Sequence, residues 1–305
     1  MIARRLMPER RELPVSTLYE RAYLLSNVLD GFADYEAGGL SVVRRREVDI
    51  LDIQPGQRAL DLGSGRGETS AEMLRRGATV VAMDYSWDAA ELTRELVKDD
   101  AAVIQANGVH LPFAAGSFDR VLMSDVIEHV PWRMAEQLLV EVHRVLAPRG
   151  RALVHTAPNT WFIAVVKKPL VAVLRLTRRE PALNRFAEYD RLRYAMHPNE
   201  LSPWTLRKLM RRSNLFAATW VDPDVLRSGA SEWTAKWPSV LVRSIEVVAG
   251  TWPLRLLLGN DMYAVAVVDP DDLPVARSRR PRLLGTLPKP DSTWGWAAAR
   301  SRRGS

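Results

Sequence analysis

The run Ala59-Leu60-Asp61-Leu62-Gly63-Ser64-Gly65-Arg66-Gly67-Glu68 joins a carboxylate to three glycines at alternate positions. A strand that delivers Asp61 and then turns through Gly63, Gly65 and Gly67 into a helix lets a ligand come close to backbone N–H groups. A dinucleotide fingerprint starting at Gly63 would need glycine at 68, where Glu68 stands, so no pyrophosphate motif is complete. A second carboxylate, Asp84, ends the next strand, where an acid can accept both hydroxyls of a ribose. Its plainer role is a helix N-cap, given the Ser86-Trp87-Asp88 that follows. Asp125, Glu128 and His129 fall within one helical turn of each other. His129 is a candidate general base, and the plainer reading is that the trio caps and braces the next helix. His197, in Tyr194-Ala195-Met196-His197-Pro198-Asn199-Glu200, either faces a substrate or braces its loop. His155 reads as structural within a strand, His143 as solvated, and His110 as surface or ligand-edge.

These groups need elements to hold them. Thr17–Leu29 and Leu40–Ile53 read as helices, and Pro55-Gly56 breaks the chain. Strands and helices then alternate: strand Arg58–Leu62, helix Thr69–Arg76, strand Thr79–Met83, helix Trp87–Lys98, strands Ala102–Gln105 and Phe118–Ser124, helix Pro131–Leu146, strand Arg151–His155. That order implies right-handed βαβ units and a parallel sheet covered on both faces. The rhythm stops after Pro158-Asn159. A helix restarts with Ser202 as N-cap and Pro203 at its first position and runs to Arg212. Strands Phe216–Val221 and Met262–Val268 follow. The expected division is an N-terminal arm and helical cap (1–54), a core (55–159), an insertion or lid (160–200), a core continuation (201–222), an apolar insertion (223–260), a last strand (261–270) and a basic disordered tail (271–305).

The motifs together resemble the class I S-adenosylmethionine (SAM)-dependent methyltransferase superfamily, in its ubiquinone/menaquinone-biosynthesis-like (methyltransferase type 11) branch. Asp61–Gly67 is similar to that superfamily's first motif. Ala106-Asn107-Gly108-Val109-His110-Leu111-Pro112-Phe113, then Ser117-Phe118-Asp119, resembles the branch, as do Ser124-Asp125-Val126-Ile127-Glu128-His129-Val130 and Arg144-Val145-Leu146-Ala147-Pro148-Arg149-Gly150. The likeness is close over roughly 55–158 and looser over 197–268. It implies an α/β fold: a Rossmann-like, doubly wound, mostly parallel seven-stranded sheet with helices on both faces and two apolar insertions. It implies SAM as cofactor, with Gly63 and Gly65 along its amino-acid end, Asp61 at its ammonium, Asp84 on the ribose, Tyr85 beside the adenine, and Asn107 and Gly108 at the adenine edge. Ser64, Gly67 and Ser124 complete the expected cofactor side. The branch usually has Asp at 107. Asn accepts through its carbonyl oxygen and must turn its NH₂ away from the adenine amino group. On the acceptor side the candidates are His129, His197 and Asp125. Likeness to quinone O-methyltransferases adds a divalent-cation reading of Asp125, Glu128 and His129.

The acceptor is expected to be a small or lipid-like molecule attacked at oxygen or carbon. Trp161, Phe162, Phe186, Tyr189 and Tyr194 of the first insertion, and Trp233, Trp237 and Trp252 of the second, either pack the insertions onto the sheet or line an apolar pocket. The net charge of +7 invites a nucleic-acid partner. Residues 275–305 hold eight Lys and Arg against Asp291 alone, so the rest of the chain sums to zero, which argues against that partner. The fourth strand ends Ser124-Asp125-Val126-Ile127, without the [DN]-P-P-[FYW] element of amino-methylating DNA enzymes. Absence of cysteine rules out disulfides and thiolate metal sites. No signal peptide and no stretch of about 18 uninterrupted apolar residues is visible. The expected location is cytoplasmic, with peripheral membrane contact left open, and the non-enzyme alternative is a SAM-binding regulator or scaffold.

Overall fold

A computed structural model describes residues 20–26, 31–176, 191, 196–222, 251 and 253–273. The expected tail beyond residue 273, most of the second insertion and the aromatics Phe186, Tyr189, Tyr194, Trp233, Trp237 and Trp252 lie outside the described residues, and the first tail residues, Asp271 and Asp272, belong to a 3-10 turn rather than to a disordered tail.

Among the described residues seven strands form one sheet, in the order β3-β2-β1-β4-β5-β7-β6. They are β1 (Arg58–Leu62), β2 (Thr79–Asp84), β3 (Ala102–Gln105), β4 (Phe118–Ser124), β5 (Leu146–Thr156), β6 (Phe216–Asp222) and β7 (Asp261–Val267). The pairs among β1 to β5 are parallel, and β7 runs antiparallel to both β5 and β6. The doubly wound, mostly parallel expectation therefore holds. Alternate residues serve opposite faces. Leu60, Val121, Leu139 and Met262 belong to one buried cluster, with α6 (Trp132–Val145) and α9 (Pro203–Arg212). Ala59, Leu122, Leu153 and Tyr263 belong to the other, with α3 (Val42–Leu51) and Met73 of α4 (Glu68–Arg75). The helix α5 (Trp87–Val97) packs on β2 and β3.

Three local departures have physical causes. The expected helix over 17–29 is, where described, a four-residue α1 (Arg21–Leu24), and α2 (Phe32–Glu36) begins after Gly31, whose φ of 74° is left-handed. The fifth strand starts five residues before the expected Arg151. Phe118 pairs with Leu146 and Arg120 with Arg151, so residues 147–150 bulge opposite Asp119, and Pro148 needs no ladder partner there. The first insertion opens as continuous helix: α7 (Thr160–Phe162), a π turn (Ile163–Lys167) and α8 (Lys168–Leu176). Pro169 cannot donate to the carbonyl four residues back, and the wider π turn just before it accommodates that loss.

The cap of α9 matches its sequence signature. Ser202 Oγ accepts from Thr205 N–H at 3.2 Å while Thr205 Oγ1 accepts from Ser202 N–H at 2.6 Å, a reciprocal capping box with Pro203 at the first turn.

Candidate active site

The carboxyl ends of β1, β2, β4 and β5 line one edge of the sheet, so their following turns converge there. On the β1–β2 side the turn is built from backbone. Gly63 N–H and Ser64 N–H both donate to the Met83 carbonyl, at 2.7 and 3.1 Å. A Cβ on Gly63 would lie 2.4 Å from Val126 Cγ2, and one on Gly67 would lie 2.9 Å from Thr93 Cα. The turn is thus packed tightly on both flanks. At Gly65, where φ is +56°, no atom of the described residues, its chain neighbours aside, lies within 4 Å of the same position, so among them the middle of the turn faces open space.

Asp84 stands beside that space. Its Oδ2 accepts from Gly65 N–H at 3.0 Å and its Oδ1 from Ser86 N–H at 2.8 Å. Burial raises its pKa and these two N–H donors oppose the shift. The N-cap of α5 is Ser86, which accepts from Ala89 N–H, so Asp84 is not itself the cap. Asp61 is buried, and its Oδ2 takes the hydroxyls of Thr69 and Ser70, each at 2.6 Å. Burial outweighs those bonds and lifts its pKa to about 6.

Several residues of the expected cofactor side also have structural partners. Ser64 is buried with its hydroxyl 3.0 Å from that of Thr93, so it braces the turn against α5. Gly67 also serves that close approach to Thr93 and faces no open space. Asn107 Oδ1 accepts from Val109 N–H at 3.1 Å, a local turn that engages the oxygen expected at the adenine edge. Gly108 abuts Leu138 and Leu62, and Tyr85 is exposed at the turn after β2. Arg66 was not anticipated: it forks onto Glu68 at 2.7 and 2.9 Å and lies over the rings of Phe32 and Tyr35, fastening the N-terminal cap to the glycine turn.

The β4–β5 side is built from charge. Asp125, at a left-handed φ of 52°, binds Arg44 of α3 through Oδ2 at 2.6 Å and His155 Nδ1 through Oδ1 at 2.9 Å. The same His155 nitrogen lies 3.0 Å from Glu47 Oε1, and Ser124 Oγ donates to that oxygen at 2.6 Å. Arg44 also donates to Ser124 Oγ. The Ser124 hydroxyl is therefore committed to this cluster. Burial opposes the charge on His155, but Asp125 and Glu47 outweigh it and raise its pKa well above the ordinary value. Burial likewise works against ionised Asp125, and the His155 and Arg44 cations overcome it, holding that carboxyl well below its usual range. The sequence marked His155 as structural and did not mark Arg44 or Glu47. The one available signal was a charged residue, Glu47, on the apolar side of a helix that buries Val48 and Leu51.

The D-x-x-E-H trio does not converge. Asp125 turns to Arg44 and His155, Glu128 Oε2 accepts from Thr156 at 2.8 Å, and His129 Nδ1 meets the Met196 carbonyl at 3.0 Å. Among the described residues no group of three His, Asp or Glu is placed to hold a metal ion. This arrangement does not favour the cation reading: Asp125 contacts α3 and β5, Glu128 contacts β5, and His129 contacts the segment at Met196. Burial and the nearby Asp125 lift Glu128 to about 8, so it is a neutral acid at pH 7. His129 and His197 do come together, with ring centroids 4.6 Å apart at 76°. A carbonyl only accepts, so His129 Nδ1 carries the proton and the basic lone pair of the neutral ring is on Nε2. Burial lowers its pKa, against the pull of the Met196 carbonyl. Asn199 anchors the same return segment, donating from its side chain to the Ile127 carbonyl at 2.9 Å. Trp161 of the first insertion packs against the main core.

Residues 60–154 match the profile of a family described as a methyltransferase domain. The chain is 39% identical over 112 residues to a demethylmenaquinone methyltransferase of Beutenbergia cavernae, a match covering 36% of this chain and 45% of that protein. It is 31% identical over 156 residues to the ubiquinone/menaquinone biosynthesis C-methyltransferase UbiE of Haemophilus ducreyi, covering 48% and 58%. The matches thus span less than two thirds of either relative's length. Among solved structures, a phosphoethanolamine N-methyltransferase 2 of Haemonchus contortus, bound to phosphomonomethylethanolamine and S-adenosylhomocysteine, superimposes with a TM-score of 0.52 at 16% identity, covering 86% of this chain and 59% of that one. At that identity the likeness speaks for the fold.

Proposed function

We propose that this chain, whose residues 60–154 match a methyltransferase-domain family, is a class I SAM-dependent methyltransferase of the ubiquinone/menaquinone-biosynthesis-like branch that methylates a small or lipid-like acceptor at oxygen or carbon. The observation that carries the reading is the open space at Gly65 beside the doubly hydrogen-bonded Asp84 carboxylate. These residues fit SAM. Backbone flanks a gap that any side chain at 65 would enter, and each Asp84 oxygen retains acceptor capacity for a ribose hydroxyl.

Bound SAM supplies a methyl group activated by a sulfonium. Asp84 would hold the ribose, and Asp61 would face the ammonium with Oδ1, since Oδ2 is occupied by Thr69 and Ser70. Positioning supplies much of such a reaction. Where the acceptor must lose a proton, His129 Nε2 takes it. Its tautomer is fixed by Met196, and its lowered pKa keeps the ring neutral at pH 7. His197 orients that ring edge-on. Asp125 acts indirectly, by fixing the β4 turn through Arg44 and His155. The names of the curated relatives favour a quinone-like acceptor over other small molecules.

A test follows S-adenosylhomocysteine release with a panel of naphthoquinols and phenols. Turnover with a quinol, insensitive to chelator and reduced about 10²–10⁴-fold in His129→Ala, is expected. SAM binding without product for any acceptor would support the scaffold reading. Chelator-sensitive turnover would return the metal to the site.

A further inference from the structure

The zero net charge of the body conceals a strong separation. At the β3 edge, residues 87–100 carry five acids against Arg94 and Lys98. At the opposite edge, α9 packs on β6 and carries Arg207, Lys208, Arg211 and Arg212 with no acid. The helical stretch 160–176 adds Lys167, Lys168 and Arg175, again with no acid. The two basic segments share a root: Thr160 N–H donates to the Leu201 carbonyl at 2.9 Å, one residue before the α9 cap.

Both segments turn a mixed face outward. On α9, Trp204, Arg207, Lys208 and Arg211 follow helical spacing and are all exposed, Trp204 at 67%. A groove of about 750 Å³ runs along this face. On the first-insertion helix, Val165, Lys168, Ala172, Arg175 and Leu176 fall on one exposed stripe, with Leu176 at 83%. Arg212 is held by Glu136 at 3.0 Å and adds little free charge. Exposed Trp and Leu interleaved with Lys and Arg suit a headgroup region, where apolar groups enter and cations stay at the phosphates. Nucleic acid would gain from the cations but not from Leu176 or Val165.

We propose that this rim, formed by the outer faces of α9 and the 160–176 helix, docks on an anionic lipid surface. The inference goes beyond the methyl-transfer reading and does not depend on it.

The test is co-sedimentation of the full chain with phosphatidylglycerol or phosphatidylcholine vesicles at moderate salt. The basic C-terminal segment could bind anionic vesicles by itself, so Lys208→Glu/Arg211→Glu is compared with the charge-matched Arg279→Glu/Arg280→Glu. A second face variant, Lys168→Glu/Arg175→Glu, guards against misfolding of the first, with melting temperature and S-adenosylhomocysteine affinity as controls. Expected is selective binding to the anionic vesicles, about tenfold weaker or more in either face variant, and a clearly smaller loss in the C-terminal one. Trp204→Ala weakens binding even where salt screens the charges. The proposal is overturned if the face variants bind within about twofold of the parent, or if the C-terminal variant loses as much. It is also overturned if the face variants change only nucleic-acid binding or self-association.

Discussion

The two halves of the candidate site are made of different materials. On the β1–β2 side, backbone N–H groups and two single carboxylates shape a gap around Gly65, and most partners lie within about thirty residues of each other. On the β4–β5 side, Arg44, Glu47, Asp125 and His155 form a buried charge cluster joined across 81 residues from Arg44 to Asp125. The first half leaves room for a ligand. The second spends its polar groups on each other and so holds the N-terminal helix against the sheet. Removing a side chain should therefore cost ligand affinity in the first half and stability in the second.

The sharpest way to break that contrast is Glu47→Ala. It leaves His155 and Arg44 buried with one carboxylate fewer, and about 3–5 kcal/mol of unfolding free energy should be lost. Urea unfolding reads it directly. A loss below about 1 kcal/mol would mean that the cluster is not a stabilising joint.

Next in size is Asp84→Ala, which removes a charge-assisted acceptor for the ribose. SAM affinity should fall tenfold to a hundredfold, about 1.5–3 kcal/mol, with a far smaller change in unfolding than in Glu47→Ala. Equal damage to both properties would erase the distinction between the halves.

A third test sharpens the comparison through pH. Glu128 keeps its proton in the folded protein up to about 8, whereas the unfolded chain releases it near the ordinary carboxyl value. Its contribution to stability is fully present below the unfolded pKa and is lost as pH rises through the folded one. Glu128→Gln, which cannot ionise, should gain on the parent steadily as pH rises from 5 to 8, by roughly 3 kcal/mol over that range. Parallel stability curves for the two proteins from pH 5 to 8 would show that Glu128 is not held neutral.

The same contrast explains what the sequence revealed. Gly63, Gly65 and Asp84 act through local geometry, so their types and spacing announce them. So do the strands at 58–62 and 118–124 and the Ser202-Pro203 cap, each fixed by a short-range pattern. Arg44 and His155 acquire meaning only when α3 and β5 are packed side by side, and no local pattern encodes that meeting. The Asp125-Glu128-His129 spacing misled for a related reason. It assumes a regular helical turn, whereas Asp125 has a left-handed backbone and the three side chains take separate partners. Ser64 and Gly67 were placed in the right turn but on its packed flank, which only the approach of Thr93 reveals.

The central claim rests on what enters the gap at Gly65, and calorimetric titration of the intact protein with SAM and, separately, with NAD tests it most directly. The account predicts saturable SAM binding that is lost in Gly65→Val, where a branched side chain would fill the gap from a left-handed backbone position, and no NAD binding. Binding of NAD without SAM, or SAM binding undiminished in Gly65→Val, would contradict it.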